Sequence, residues 1–325
     1  MTSPDLPTEL KAALDSRLQG LLRTDAAERA ARISQAYRGG GNSFTIRDDA
    51  DALAYALARM PATYAAITAS LNALGENLPE FAPLSLLDVG AGPGTAAWAA
   101  IQAWPSLQQF TLLDANGALR KLALQLAGYS SRLREIDYRH GQARAALADA
   151  GTADLVIASY VIGEMNETDQ RALAESMWGK TGDTLVVIEP GTPAGYARII
   201  ALRAQLIAAG AHVVAPCPHD GPCPLQQPDW CHFTQRLPRL QAHKQIKGAE
   251  LPFEDEKFSY VALSRTPIAS RPARVLAQPV VNKVEVAAKL CTADGLAAAR
   301  VPRRAREAYA RARRWRWGDA VVPDG

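Results

Sequence analysis

Leu86-Leu87-Asp88-Val89-Gly90-Ala91-Gly92-Pro93-Gly94-Thr95 reads as a buried strand that ends in a glycine-rich turn and opens a helix. Glycines let a backbone approach a ligand closely, and the first turn of a helix offers free N–H groups. A second strand ends at Leu112-Leu113-Asp114, twenty-four residues beyond Gly90. An acid at that place can hold a ribose diol. With these two strands, short apolar runs stand at Leu84–Val89, Phe110–Leu113, Asp154–Ser159 and Thr184–Ile188, with a weaker one at Ile136–His140. Ala-rich helical stretches separate them. Near-continuous apolar strands alternating with helices predict a parallel sheet covered on both faces. His212–Ala215 and Lys257–Ser264 add two strands and bring the expected count to seven.

Both NAD and S-adenosylmethionine suit an acid like Asp114. The turn separates them, because Asp88-Val89-Gly90-Ala91-Gly92-Pro93-Gly94 is not the dinucleotide G-x-G-x-x-G pattern. It resembles motif I of class I S-adenosylmethionine-dependent methyltransferases. The resemblance implies an α/β, doubly wound, Rossmann-like sheet of seven strands. It also implies cofactor contacts from Asp88 to the methionine part, from Gly90, Gly92 and Gly94 to the cofactor body, and from Asp114 to the ribose. Gln142, after the third strand, falls where the adenine is flanked. No catalytic residue can be named. After the fourth strand the chain reads Ser159-Tyr160-Val161-Ile162-Gly163-Glu164 and lacks the Asn/Asp-Pro-Pro-Tyr/Phe motif of enzymes that methylate base amines. Tyr160 and Glu164 are candidates for a substrate pocket, with ordinary packing as the alternative. Pro216-Cys217 follows the sixth strand rather than the fourth, so it does not match the nucleophile of cytosine-C5 enzymes.

The chain has 325 residues and a mass of 34.8 kDa, with 48% hydrophobic and 21% charged residues, which excludes a wholly disordered protein. No run of eighteen apolar residues occurs, so no membrane span is expected. The start, MTSPDLPTEL, lacks the basic and apolar regions of a secretory signal. Around the central domain, expected over 81–265, stand an N-terminal helical region over 1–80 and a small C-terminal module over 266–325. Leu10, Leu14, Leu18 and Leu21 form one helical stripe and Asp51–Leu74 is helix-rich, while Arg38-Gly39-Gly40-Gly41-Asn42-Ser43 reads as a connector without the P-loop lysine. The C-terminal module is expected to be β-like up to the Thr292-Ala293-Asp294-Gly295 turn, followed by an arginine-rich helix from Pro302.

Charge is unevenly spread. Between Arg300 and Arg316 eight arginines face the single acid Glu307, a local +7; the overall +3 less +7 leaves −4 elsewhere. A basic segment on a mildly acidic body points to a polyanion, chiefly nucleic acid. Arg303, Arg304, Arg306, Arg311, Arg313, Arg314 and Arg316 are the candidate RNA contacts, with Tyr309, Trp315 and Trp317 as stacking surfaces.

All four cysteines lie in the C-terminal half, and Cys217, Cys223 and Cys231 share one Pro-rich insertion over 216–256, with Cys291 apart. Soft ligands gathered in one irregular loop read as a metal site closed by a distant fourth. The spacing does not name the metal, and His219 and His232 stand as alternative zinc ligands. The segments Cys217-Pro218-His219-Asp220-Gly221-Pro222-Cys223, Asp229-Trp230-Cys231-His232-Phe233 and Glu254-Asp255-Glu256-Lys257-Phe258 are similar to the methyltransferase-like family associated with the mitochondrial ribosomal small subunit, which has bacterial members. Tyr37-Arg38-Gly39-Gly40 and Trp317-Gly318-Asp319 fit it as well. The resemblance implies a small-subunit assembly factor that binds rRNA, with a 4Fe-4S cluster on Cys217, Cys223, Cys231 and Cys291 and zinc as the alternative. It leaves methyl transfer to that rRNA open. The N-terminal composition adds the expectation of a bacterial, cytoplasmic member, and the chain is expected to be a monomer. The competing expectations are a dedicated RNA methyltransferase with a structural zinc site and a small-molecule methyltransferase, the latter disfavoured by the arginines.

Overall fold

The structure is a computed structural model that describes residues 1–18, 23–39, 41–239 and 251–322. Leu21 of the helical stripe and Gly40 of the glycine connector lie outside the described residues. The first helices are α1 (Thr8–Leu18), α2 (Arg23–Arg38) and α3 (Asp49–Asn77). Leu10 and Leu14 are buried as the stripe requires. In α3 the Asp48 side chain caps the first turn by accepting the Asp51 N–H at 2.8 Å, and the alanine-rich body packs almost wholly inside.

Next come β1 (Ser85–Val89), α4 (Thr95–Ala103), β2 (Gln109–Asp114), α5 (Gly117–Ala127), β3 (Asp137–His140), α6 (Ala143–Ala148), β4 (Ala153–Ser159), α7 (Glu167–Lys180), β5 (Thr181–Pro190), α8 (Pro193–Ala208) and β6 (His212–Ala215). Then follow β7 (Phe233–Pro238) and β8 (Phe253–Ser264). The main sheet runs β3-β2-β1-β4-β5-β8-β6. Its first five strands are parallel, and β8 is antiparallel to β5 and β6. This is the expected Rossmann-like methyltransferase sheet. The strand period of two divides its core: Leu86, Leu112, Ile157 and Ile188 face α1 and α3–α5, and Leu87, Leu113, Val156 and Val187 face α6–α8.

Two expectations need correction. An eighth strand, β7, pairs antiparallel with β8 inside the Pro-rich insertion expected over 216–256. Its FTQRLP sequence buries only Phe233 and Leu237 and ends in proline, so it carries no continuous apolar run. The C-terminal module is a five-stranded sheet of β9 (Ala273–Val275), β10 (Val280–Val281), β11 (Glu285–Thr292), β12 (Gly295–Pro302) and β13 (Ala320–Val321). Thr292–Gly295 is the β11–β12 turn, as expected, but the helix does not begin at Pro302. Strand pairing continues there, with Pro302 opposite Glu285 and the Arg303 N–H bonded to the Val284 carbonyl at 2.7 Å. Only α9 (Arg306–Ala312) is helical, so the arginines are shared among a turn, one short helix and the loop after it.

Candidate cofactor site, cysteine cavity and arginine surface

The glycine turn sits at the C-terminal end of β1, between the ends of β2 and β4. Gly90, Gly92 and Gly94 have φ of 70°, 53° and 80°. At Gly90 the requirement is also steric, since a Cβ there would lie 2.4 Å from Cγ2 of Val161, just beyond β4. Asp88 is fully buried, and neither carboxylate oxygen has a hydrogen-bond partner. Burial first, and then the charge of Asp114, push its pKa up to about 8, against a weaker pull from the Ala97 amide. Asp114 accepts the Gly92 N–H at 2.8 Å and the Asn116 N–H at 2.7 Å. Burial still holds its pKa above the usual carboxylate value. Gln142 is exposed at the start of α6, one residue beyond Gly141, whose N–H bonds the Asp114 carbonyl. The orphaned Asp88 oxygens and the left-handed glycine turn fit a ligand with an ammonium group and a diol. The space directly over Gly90 is filled by Val161.

A strap that the sequence did not announce crosses this edge. The 3-10 turn Ser43–Thr45 lies between the ends of β2 and β4. The Asn116 Nδ2 group donates to the carbonyls of Ser43 and Ile46 at 2.8 and 2.9 Å, while the Ser43 N–H and hydroxyl donate to Glu164 Oε2 at 3.2 and 3.3 Å. One serine thus ties together the two loops that flank the glycine turn.

Beside the strap, α2, α3 and the ends of β4 and β5 enclose a cavity of about 900 Å³ whose wall includes Tyr37, Tyr55, Arg59, Tyr160, Glu164 and Glu189. Tyr160 and Glu164 therefore do face a pocket. Tyr160 has φ 58°, a left-handed conformation rare for a residue with a side chain. Its hydroxyl donates to Glu256 Oε1 at 2.9 Å, an oxygen that also accepts from Arg59 at 3.2 Å. Burial and Glu256 hold the Tyr160 hydroxyl protonated far above its ordinary range.

The four cysteines line a second cavity, with Tyr196 and Arg203 of α8 and Arg274 of β9. It lies past β6 on the same sheet edge, four strand positions and so about 19 Å across the sheet from β1. Burial, followed by the nearby Cys217, Cys223 and Cys291, pushes the Cys231 thiol up, and burial takes Cys291 up to about 12. The sulfurs are thus electrostatic neighbours. Arg203 and Arg274 are buried at 2% and 3% exposure, and Arg203 Nε has no partner. Two buried cations beside four thiols suit a donor set that turns anionic on binding metal. Among the described residues, however, no three Cys, His, Asp or Glu side chains stand at the spacing of one shared metal ion. Of the two alternative ligands, His219 Nε2 lies 3.7 Å from Cys291 Sγ, whereas His232 is packed between Trp230 and Trp317 at ring distances of 5.1 and 4.4 Å.

This loop is also the joint of the molecule. Arg274 donates to the carbonyls of Pro216 and Gly318, Arg271 pairs with Asp220 at 2.6 Å, and Lys289 pairs with Asp229 at 2.6 Å. Trp317 is therefore spent on packing rather than offered to a base. Tyr309 bonds the Asn282 carbonyl, and Trp315 leans on the small-module core. The candidate RNA contacts Arg303, Arg304, Arg306, Arg311, Arg313, Arg314 and Arg316 are all exposed. Among the described residues, none of them except Arg311 has an ion pair or side-chain hydrogen bond, and Arg313 lies over the Tyr309 ring at 5.8 Å.

The sequence pattern of the mitochondrial small ribosomal subunit Rsm22 family matches residues 49–322. The chain belongs to the Rsm22 family. It is 30% identical over 289 residues to the human mitochondrial ribosome assembly protein METTL17, covering 83% of this chain and 62% of that one. The Rsm22-cox11 tandem protein 2 of Schizosaccharomyces pombe is 29% identical over 211 residues, covering 58% of this chain and 28% of that one. This Rsm22-family chain thus spans less than two thirds of the length of either relative. Among solved structures, an O-methyltransferase family protein from Burkholderia thailandensis superposes with a TM-score of 0.46 at 12% identity, over 74% of this chain and 69% of that one. Magnesium protoporphyrin IX methyltransferase from Synechocystis with bound S-adenosylmethionine gives 0.40 at 12% identity, over 63% and 80%. No described helix is long and apolar enough to cross a membrane.

Proposed function

We propose that this protein is an assembly factor of the small ribosomal subunit that grips rRNA with its arginine surface and uses a methyltransferase-type sheet as its scaffold. The observation that carries the reading is the family match, which extends through the cysteine loop and the arginine segment alike. The arginines support it physically. Six exposed guanidinium groups without a carboxylate partner among the described residues repel one another until phosphate arrives, and the guanidinium fork suits phosphate oxygens. The glycine turn, Asp88 and Asp114 are assigned to S-adenosylmethionine. When bound, that cofactor supplies a methyl group; the chain's own part is to bind and orient it. Cys217, Cys223, Cys231 and Cys291 are assigned to a 4Fe-4S cluster, with zinc as the alternative. Its role is structural, at the joint that aims the arginine surface.

A second reading, methyl transfer to RNA, is favoured by the cavity beside Glu164 and the strained Tyr160. Tyr160 holds its proton against Glu256 and so is no base for deprotonating a substrate.

Titration of small-subunit rRNA fragments at several salt concentrations tests the main reading. Changing Arg303, Arg304, Arg313 and Arg314 to Gln should weaken binding and lower the log–log salt slope by roughly 0.7–0.9 for each phosphate that is no longer neutralised. Equal affinity and slope for the two proteins would leave the segment a solvated surface.

A further inference from the structure

The cavity between α2, α3 and the ends of β4 and β5 holds charge that the rRNA reading does not use. Its arginines are already committed. Arg198 donates to Glu189 Oε2 at 2.8 Å, Arg59 to Glu256 at 3.2 Å, and Arg239 to Glu254 at 3.3 Å. What remains is acceptor capacity. Glu189 is 1% exposed, and its Oε1 has no partner. Among the described residues, Glu164 receives only neutral donors, from Ser43 and the Tyr37 hydroxyl, and no cation lies within ion-pair distance of it. Burial raises both carboxylates above their ordinary values, Glu189 to about 7 despite Arg198. A buried carboxylate oxygen to which nothing donates is held at a cost. The other wall is aromatic, with Tyr37 and Tyr55 stacked at 6.1 Å and 30° and Tyr160 locked in its left-handed conformation.

We infer that this cavity binds a donor-rich cation, the alkylammonium or guanidinium of a basic group, between the Tyr37–Tyr55 face and the unpartnered Oε1 of Glu189. A cation satisfies the free oxygen and needs only one ring face, which the stacked tyrosines offer. An anion meets two carboxyl groups that repel it once ionised, with every neighbouring arginine already engaged. A neutral base can donate to Glu189 but leaves Glu164 without a counter-cation among the described residues. The cavity is large enough for more than one side chain, which suits a basic residue presented on a peptide or a free polyamine-like molecule.

Calorimetric titration of the full chain, free of RNA, tests this with three probes: agmatine, the blocked tripeptide acetyl-Gly-Arg-Gly-amide and guanosine monophosphate. Agmatine, the tripeptide or both should bind saturably at one site, and the tighter of the two identifies the source that fits the cavity mouth. Glu189→Gln should weaken binding by about tenfold or more. Ala31→Trp, from an exposed wall position on α2, should abolish it with an unchanged melting temperature and carries the test if the glutamine variant does not fold. Cation binding that survives both variants, no saturable binding of either cation, or guanosine monophosphate binding in their place overturns the inference. rRNA binding by the Ala31→Trp protein is read separately, so failure here does not count against the rRNA reading.

Discussion

Asp88 and Gly90 show how much rests on single residues at the end of β1. The buried Asp88 carboxyl keeps its proton up to about pH 8 in the folded, ligand-free chain, against an ordinary value of 3.8. Between those values the unfolded chain binds fewer protons than the folded one, so this group's contribution to stability falls as pH rises. A cationic ammonium seated on Asp88 requires the ionised form. Affinity for S-adenosylmethionine should therefore rise by up to about tenfold per pH unit toward pH 8, measured by calorimetry from pH 6 to 8.5. Asp88→Asn should flatten that dependence and lower the affinity; a wild-type affinity independent of pH would remove Asp88 from the site. At Gly90 an alanine meets both a left-handed backbone and Val161. Gly90→Ala should cost about 2–5 kcal/mol by summing the backbone and overpacking contributions. Adding Val161→Ala should restore only part of the overpacking cost, because Val161 Cβ still lies 2.7 Å from the added methyl. Urea unfolding of the single and double variants checks the split.

Among the elements, the cysteine loop between β6 and β7 joins the methyltransferase-type sheet to the small C-terminal sheet. If its sulfurs hold a cubane cluster, protein purified without oxygen should carry about four iron and about four acid-labile sulfide per chain. Cys291→Ser should lose both and loosen the C-terminal module, seen as faster proteolysis after Thr266 with the main sheet intact. Stoichiometric zinc without sulfide would replace the cluster with zinc. The parallel strands were legible in the sequence because burial on both faces leaves continuous apolar runs such as Leu185–Ile188. The glycine turn was legible because only glycine serves there. β7 was hidden by its polar outward residues, and the end of β12 by Pro302, which reads as a helix start but completes a strand. The Ser43 strap was invisible for another reason. Asn42-Ser43-Phe44-Thr45 looks like any polar connector, and its meaning comes from Asn116 and Glu164, 73 and 121 residues away.

At the scale of the whole molecule, three devices share one frame: a glycine turn under a strap, a cysteine cavity at the joint, and an arginine surface on the far module. The trio of Trp230, His232 and Trp317, with Arg274 bridging Pro216 and Gly318, makes the cavity and the arginine surface one mechanical unit. If a cluster fills the cysteine cavity, its loss is predicted to weaken rRNA binding, although no cysteine belongs to the arginine segment 300–316. A fluorescence titration of cluster-loaded and cluster-free protein with the same rRNA fragment should show that fall in affinity, with the salt slope nearly unchanged if the arginines still reach their phosphates. The central claim, that this chain serves the small ribosomal subunit through RNA, is tested most directly by ultraviolet crosslinking in cells followed by sequencing of the bound RNA. Reads should concentrate on small-subunit rRNA and be depleted when Arg303, Arg304, Arg313 and Arg314 are changed to Gln. Reads spread in proportion to RNA abundance, or unchanged by those substitutions, would contradict it.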